Sequence, residues 1–486
     1  MVSKLWLLIL NLFSIRLQNM RNRLHLVRFL TFLITSLFIK VVTAQQQQIN
    51  KMAPNIVFIF ADDWGYGDLG CYGNKEVQTP YLDQFALQGV RFEQFYVTSG
   101  VCSPSRSSVI TGHFPAAHQI HGHFAGNDQN AKRNMPNWLD ANLPVYLPGL
   151  MQNAGYKTAH FGKWHLGGGG EPNGDLSAPE PKAYGYDETR VWNGNGPTWK
   201  GDALWPTTRY MDDDTVWIQN SSKIAVDETI DFLKRKKKDE PVFINLWLKD
   251  PHSPLAPSAE QLKPFENKNI GKTKEIYYAV LKDADFHIGR LLKALNELGL
   301  DENTLVIFSS DNGPANYEPA RTAGSTAGLK GRKTELFDGG IKVPCIMRWP
   351  GHLEAGKVDH NSVISTVDFI PTFASLANIK LPTTYKPDGE SFLPVLQNRT
   401  FSRTKPLFWE WRFPYYGSNP QLGNSWVSAA VRDKNWKLLT DSLKKRIELY
   451  DMSIDPYEAR NLASENPGKV AELMKKWINW KRKLPK

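Results

Sequence analysis

Cysteine is scarce in this chain: 486 residues hold three, Cys71, Cys102 and Cys345. An odd count leaves at least one thiol unpaired, so disulfides cannot account for all of them. Long apolar runs are also missing. LWLLILNLFSI and FLTFLITSLFI are 11 residues each, short of the ~20 that a helix needs to cross a bilayer. Acid is outnumbered by base, 49 Asp and Glu against 59 Lys and Arg, for a net charge of +10. That balance favours polyanionic partners, nucleic acid or sulfated glycans, with a solvated basic surface as the bland alternative. What remains is a globular composition, 41% hydrophobic and 22% charged, with 16 Trp and 36 Gly. It excludes a fibre or a repeat array and suggests a loop-rich fold with aromatic surfaces.

The second apolar run follows the basic stretch MRNRLHLVR and precedes VVTA. This reads as a signal peptide over residues 1–44, cleaved after Ala44, with Met20 a better-proportioned start than Met1. Arg28 and Lys40 flank the run, and no cysteine sits at the cleavage point, so a stable membrane anchor is not expected. The protein is then periplasmic or secreted, which argues against nucleic acid as a partner.

Five apolar, β-branched runs stand out: 55–61, 156–162, 241–248, 304–310 and 343–349. Amphipathic helical patterns separate them, the longest being KEIYYAVLKDADFHIGRLLKALNEL. Continuous buried strands alternating with helices predict an α/β fold around a large, mostly parallel sheet. DFIPTFASLANI predicts a further helix. After about residue 400 the pattern changes to short strands and a terminal helix, so residues 45–400 read as a catalytic domain and 401–486 as a smaller α+β subdomain. Residues 165–225 read as a long, functional loop region.

The polar motifs occupy equivalent places. Asp62-Asp63 follows the first run, Lys163-Trp164-His165 follows the second, Asp250-Pro251-His252 follows the third, and Asp311-Asn312 follows the fourth. Ligands of open α/β sheets bind beyond the carboxyl ends of the strands, so four such clusters should converge. An Asp-Asp pair standing alone would be read as a turn or helix cap. Together with Asp311 and Asn312 it offers an all-oxygen set suited to a hard cation, Ca²⁺ or Mg²⁺.

CSPSR, at Cys102 to Arg106, resembles the Cys-x-Pro-x-Arg signature of type I sulfatases. NIVFIFADDWGYGDLGCYG, GYKTAHFGKWHLG, SSDNG, GRKTELFDGG and ELYDMSIDPYEARNLA are also similar to blocks of that family, so the likeness covers residues 54–486. It implies an alkaline-phosphatase-like α/β sandwich with a small C-terminal subdomain. It also implies that a formylglycine-generating (sulfatase-maturing) enzyme oxidises Cys102 to Cα-formylglycine, 3-oxoalanine. The hydrated aldehyde is the nucleophile, and its second hydroxyl allows sulfate to be expelled. By the same resemblance Asp62, Asp63, Asp311 and Asn312 hold Ca²⁺ with residue 102. Arg106 orients the formylglycine, Lys163 binds sulfate, His165 is a base, and His252 lies near the bridging oxygen as a proton donor. The family pattern places a lysine five positions before an acidic-Gly-Gly triplet, which selects Lys333 over Lys330. Lys330 and Arg332 then read as solvated loop charges, and Asp338 in place of the commoner glutamate as a departure without obvious consequence.

Other features carry less. His113, His118, His121 and His123 are spaced irregularly and fit no ligand motif, so rim or structural roles are expected, with His113 a candidate substrate contact. Asp212-Asp213-Asp214 reads as a solvated loop. Lys234–Lys238 reads as the end of a helix. Arg412, within FWEWRFPYY, is a candidate for binding an anionic sugar, while the tryptophans beside it fit sugar stacking and a sheet core equally. The expected activity is that of an exported enzyme hydrolysing sulfate monoesters on a sulfated carbohydrate, an algal polysaccharide or its oligosaccharides of ulvan or carrageenan type. Glycosaminoglycan, arylsulfate or phosphonate monoester hydrolysis are the enzymatic alternatives, and polyanion binding without turnover is the non-enzymatic one.

Overall fold

In the computed structural model, the described residues are 53–167, 177–192, 218–411, 427–441 and 445–485. The signal-peptide reading, the Asp212–Asp214 run and Arg412 therefore lie outside them. Numbered in chain order, the strands are β1 (Asn55–Ala61), β2 (Val90–Phe92), β3 (Phe95–Tyr96), β4 (Lys157–Lys163), β5 (Glu188–Trp192), β6 (Val242–Trp247), β7 (Thr304–Ser310), β8 (Cys345–Arg348), β9 (Lys357–Asp359), β10 (Ile364–Ser365), β11 (Leu407–Glu410), β12 (Ala429–Asp433), β13 (Trp436–Thr440) and β14 (Ile447–Asp451). The helices that matter here are α1 (Pro80–Leu87), α2 (Cys102–Thr111), α3 (Leu147–Asn153), α4 (Ser221–Lys234), α5 (Lys272–Glu297), α6 (Phe369–Leu376) and α7 (Pro467–Lys481).

The main sheet has eight strands in the order β5-β4-β6-β1-β7-β8-β2-β9. Its centre is parallel, and β8 alone runs against its neighbours β7 and β2. Strand β1 shows why such runs are uniformly apolar. Val57, Ile59 and Ala61 face one layer, where Ala225, Val226 and Ile230 of α4 and Tyr277, Leu281, Ile288 and Leu291 of α5 belong to the same core. Phe58 faces the other, edge-on to Phe369 of α6 at 5.0 Å. Both faces are dry, so no polar alternation is needed.

The reversed β8 matters for function. Its first residue, Cys345, pairs with Ser309 near the carboxyl end of β7. The chain therefore enters β8 from that end of the sheet, and the loop carrying Lys333 is delivered there.

A second sheet, β11-β12-β13-β14, is antiparallel throughout. Helix α7 covers it, with Leu473 packed among Val431, Leu438 and Leu449. No described helix is long and apolar enough to cross a membrane.

Several expectations need correction. Helix α4 ends at Lys234, so the rest of the lysine run lies beyond it. Lys330 and Arg332 are not solvated loop charges. Lys330 Nζ donates to Glu448 at 3.2 Å and Tyr450 Oη at 2.9 Å, and sits over the Phe337 ring. Arg332 donates to the carbonyls of Ala315, Ala320 and Gly324, fastening three turns. Trp409 and Trp411 are core residues, and Trp409 Nε1 donates to the Val97 carbonyl. All three cysteines are free thiols.

Candidate active site

The first carboxylates stand where β1 ends. Asp63 has φ +66°, and His165, two residues past β4, has φ +53°. Both lie in the left-handed region, an uncommon place for residues other than glycine and one often kept for functional turns. Each turn directs a polar side chain back over the sheet end instead of onward into a connection.

Cys102 is the first residue of α2. Val101 before it is extended, and all ten residues of the helix are buried. Position 102 thus meets the positive end of the helix dipole, which favours an anion there. Burial raises the thiol's pKa above its ordinary value, although Lys163 and Lys333 oppose the shift. Sγ lies 3.2 Å from Nδ1 of His165. The other ring nitrogen, Nε2, is 3.3 Å from the Phe124 carbonyl. A carbonyl can only accept, so Nε2 carries the hydrogen and Nδ1 presents a lone pair to residue 102. Burial and the Lys163 ammonium hold His165 well below the usual imidazole range, and so neutral.

Arg106 is one helical turn along and fully buried. Its Nε and one terminal nitrogen donate to Asp311 Oδ2 at 3.0 and 2.7 Å, and the other terminal nitrogen reaches the Lys163 carbonyl at 3.4 Å. Trp247 lies 5.1 Å from the guanidinium. The arginine therefore joins the ends of β4 and β7 to the nucleophile's helix.

Lys163 Nζ donates to Asp62 Oδ2. Lys333 Nζ lies 2.6 Å from Asp63 Oδ1. Burial alone would lower Lys333, but the Asp63 carboxylate outweighs it and keeps the ammonium charged. Asn312 Nδ2 donates to Asp63 Oδ1 at 2.7 Å, and the Asp63 N–H donates to Asp311 Oδ1 at 3.2 Å. His252 Nδ1 donates to the Ser253 carbonyl at 2.6 Å, leaving Nε2 3.9 Å from Asp63 Oδ2. Burial, then Lys333 and Lys163, hold that imidazole well below its usual range.

Two observations test whether a hard cation fits. Asp62 Oδ1 and Asn312 Oδ1 are buried without a hydrogen-bond partner, a costly state that a metal ion would relieve. Ligand atoms of Asp62, Cys102 and Asp311, and of Asp62, Asp63 and His252, also lie within 4.8 Å of one another. Burial and the neighbouring Asp62 push Asp311 up to about 7, against the pull of Arg106. Oxygen donors of this kind fit Ca²⁺ or Mg²⁺.

Ten expected residues thus gather in one place: Asp62, Asp63, Cys102, Arg106, Lys163, His165, His252, Asp311, Asn312 and Lys333. His113 instead pairs with Asp388 at 3.5 Å and packs against Tyr385 and His118. Three contributors had no motif to reveal them. The Phe124 carbonyl fixes His165, Tyr317 Oη lies 3.4 Å from His252 Nε2, and Lys249 ties the His252 turn by donating to the carbonyls of His252 and Pro254. The His123 ring lies against His165, at 6.2 Å.

The comparisons with known proteins agree with this geometry. The Sulfatase family profile matches residues 54–379, and that of the N-sulphoglucosamine sulphohydrolase C-terminal region matches 332–483. Human N-acetylgalactosamine-6-sulfatase is 31% identical over 382 residues, covering 73% of this chain and 68% of that protein. The N-acetylgalactosamine-6-O-sulfatase of Bacteroides thetaiotaomicron is 29% identical over 505 residues, covering 87% and 92%. Among solved structures, Ps i-CgsB in complex with k-i-k-neocarrahexaose has a TM-score of 0.70 and 25% identity, covering 88% of this chain and 92% of that one. Sequence, fold and site lead to one conclusion: the chain belongs to the sulfatase family, as a type I sulfatase of the alkaline-phosphatase-like superfamily and a sulfuric ester hydrolase.

Proposed function

We propose that this sulfatase, exported through its N-terminal signal, removes sulfate from a sulfated carbohydrate, carrageenan-type saccharides first. N-acetylgalactosamine 6-sulfate units are the second class. The reading is carried by one observation: the Cys102 thiol, two buried oxygens without a hydrogen-bond partner and two lysine ammonium groups are gathered around one buried point. The carbohydrate preference is supported by the relatives named for such substrates and by the net charge of +10.

In this reading a maturing enzyme converts Cys102 to formylglycine, whose hydrate supplies the attacking hydroxyl. Asp62, Asp63, Asp311 and Asn312 would hold Ca²⁺ beside residue 102, and the bound ion supplies positive charge against the sulfate. The chain's own residues do the rest. Lys163 and Lys333 bind sulfate oxygens from two sides. Arg106 fixes residue 102 relative to Asp311. His165 accepts a proton at Nδ1, because Phe124 occupies its other nitrogen. His252, held through Nδ1 by Ser253, presents Nε2 to the departing oxygen; it would take up a proton there from solvent once the sulfate's negative charge is bound, and then pass it to the departing oxygen, which an alkyl alkoxide needs more than an aryl one.

The test is sulfate release from carrageenan oligosaccharides, N-acetylgalactosamine 6-sulfate, nitrophenyl sulfate and a phosphonate monoester, with mass spectrometry of the peptide carrying residue 102. Sugar sulfates should be favoured, residue 102 should be an aldehyde, and Cys102→Ala should bind without turnover. Turnover confined to the nitrophenyl sulfate or the phosphonate overturns the carbohydrate reading. Full activity with an unmodified thiol overturns the nucleophile.

A further inference from the structure

Tyr317 stands on the loop after β7, five residues past Asn312. It is among the few large apolar side chains left open in the described residues, at 41% exposed. The hydroxyl lies 3.4 Å from His252 Nε2, Lys333 Nζ lies 5.9 Å from the ring centroid, and the His252 ring is edge-on at 6.4 Å. Burial pushes the phenol well above its ordinary range. A tyrosine serving only to fill a core would enclose its ring and let its hydroxyl reach outward. Here the hydroxyl reaches His252 at the catalytic centre, while the residue as a whole stays 41% exposed.

The atom that the hydroxyl touches gives the arrangement its meaning. Nδ1 of His252 is committed to the Ser253 carbonyl, so the phenol O–H donates to the lone pair on Nε2. That contact is an alcohol docked on the nitrogen from which the departing sugar oxygen is to receive its proton. The sugar bearing the ester must therefore sit on the Tyr317 side of His252, within reach of the open ring.

We infer that Tyr317 is a specificity-determining residue. Its ring walls the subsite for the sugar that carries the sulfate, and its hydroxyl holds the alcohol position against His252 until substrate displaces it. The inference rests on the carbohydrate reading above. The apolar C–H face of a pyranose packs on an aromatic ring, and contacts of this size are worth about tenfold in affinity. The hydroxyl contributes no such contact to substrate; it competes for Nε2.

Two variants separate ring from hydroxyl. Each is assayed on a sulfated carrageenan disaccharide, on N-acetylgalactosamine 6-sulfate and on methyl sulfate, which has no ring. Tyr317→Ala should raise KM on the preferred sugar sulfate about tenfold more than it raises KM for methyl sulfate. Tyr317→Phe should keep or lower the sugar KM, because the wall stays and the competitor goes. Matching Tm values check that both variants fold. Equal losses on sugar and methyl sulfates, or a Phe variant as impaired as Ala, overturn the subsite alone. Wild-type enzyme that hydrolyses methyl sulfate but neither sugar overturns the carbohydrate reading before any variant is made.

Discussion

Replacing Lys437 with methionine should damage the enzyme from well outside the active site. Lys437 Nζ lies 2.6 Å from Asp338 Oδ1 and 2.8 Å from Glu458 Oε1, with all three side chains fully buried. Asp338 also accepts from Tyr96 Oη at 2.7 Å, and its N–H donates to Glu458 Oε2 at 2.7 Å. Methionine keeps most of the volume and removes the charge, leaving two carboxylates facing each other. Breaking a buried pair in this way costs about 3–5 kcal/mol. The lower end applies here, because burial already pushes Glu458 up to about 7, so it can take up a proton instead of remaining charged. About 3 kcal/mol corresponds to roughly 0.6 M in a guanidinium midpoint if the slope is near 5 kcal/mol per molar. The sign of the pH dependence follows. Without Lys437 the folded state binds its proton more tightly than wild type does, so the deficit should shrink as pH falls from about 8 to about 5.5. Lys333, five residues before Asp338 on the same loop, should lose its placement, and activity should fall further than stability. A triple variant, Lys437→Met with Asp338→Asn and Glu458→Gln, should regain most of the stability, since a neutral, hydrogen-bonded cluster replaces the stranded charges. An unchanged midpoint for the single variant at about pH 8, or no recovery in the triple, would refute this reasoning.

Exhaustive chelation should abolish sulfate release and Ca²⁺ should restore it. At a hundredfold its Kd, Ca²⁺ should also stabilise the stripped protein by about 2.7 kcal/mol, and Asp311→Ala should show neither response; full activity after stripping contradicts the ligand assignment. His252→Ala should cut sugar desulfation by roughly a hundredfold to ten-thousandfold and nitrophenyl sulfate hydrolysis far less. Equal losses, with both substrates still bound and bond cleavage limiting, would point to sulfate positioning and pass the acid role to Lys333.

The strands that position the site were legible because both of their faces are dry. β1 and β7 begin and end at the residues that the apolar runs mark, and β4, β6 and β8 fall within a residue or two. The short strands were not. β9, Lys357–Asp359, is half-buried along its length, and three residues of that kind carry no periodicity to read. The direction of β8 was equally hidden, since a buried run looks alike in either sense. Charge was misread where burial depends on distant segments. Lys330 looks solvated in LKGRK, yet its partners Glu448 and Tyr450 arrive more than a hundred residues later. Asp338 looked like a neutral departure from glutamate for the same reason, with Lys437 and Glu458 out of local view. Tyr317 has no motif at all; only the turn beyond Asn312 brings it to His252.

The helix that begins at Cys102 has no wet face, and this imposes a schedule on the protein's making. Once α2 is enclosed, no second enzyme can surround the thiol, so on the proposed chemistry the oxidation of Cys102 belongs to a chain that has not yet closed. The last side chain needed to close the site, Lys333, follows Cys102 by about 230 residues. At ~5–20 residues per second of synthesis, the proposed maturing enzyme would have roughly ten to fifty seconds before a complete site could form around an unconverted cysteine. Slower passage through that stretch, or slower folding after it, lengthens the interval; a faster-folding variant shortens it and would yield a stable, well-packed protein with less of its nucleophile made.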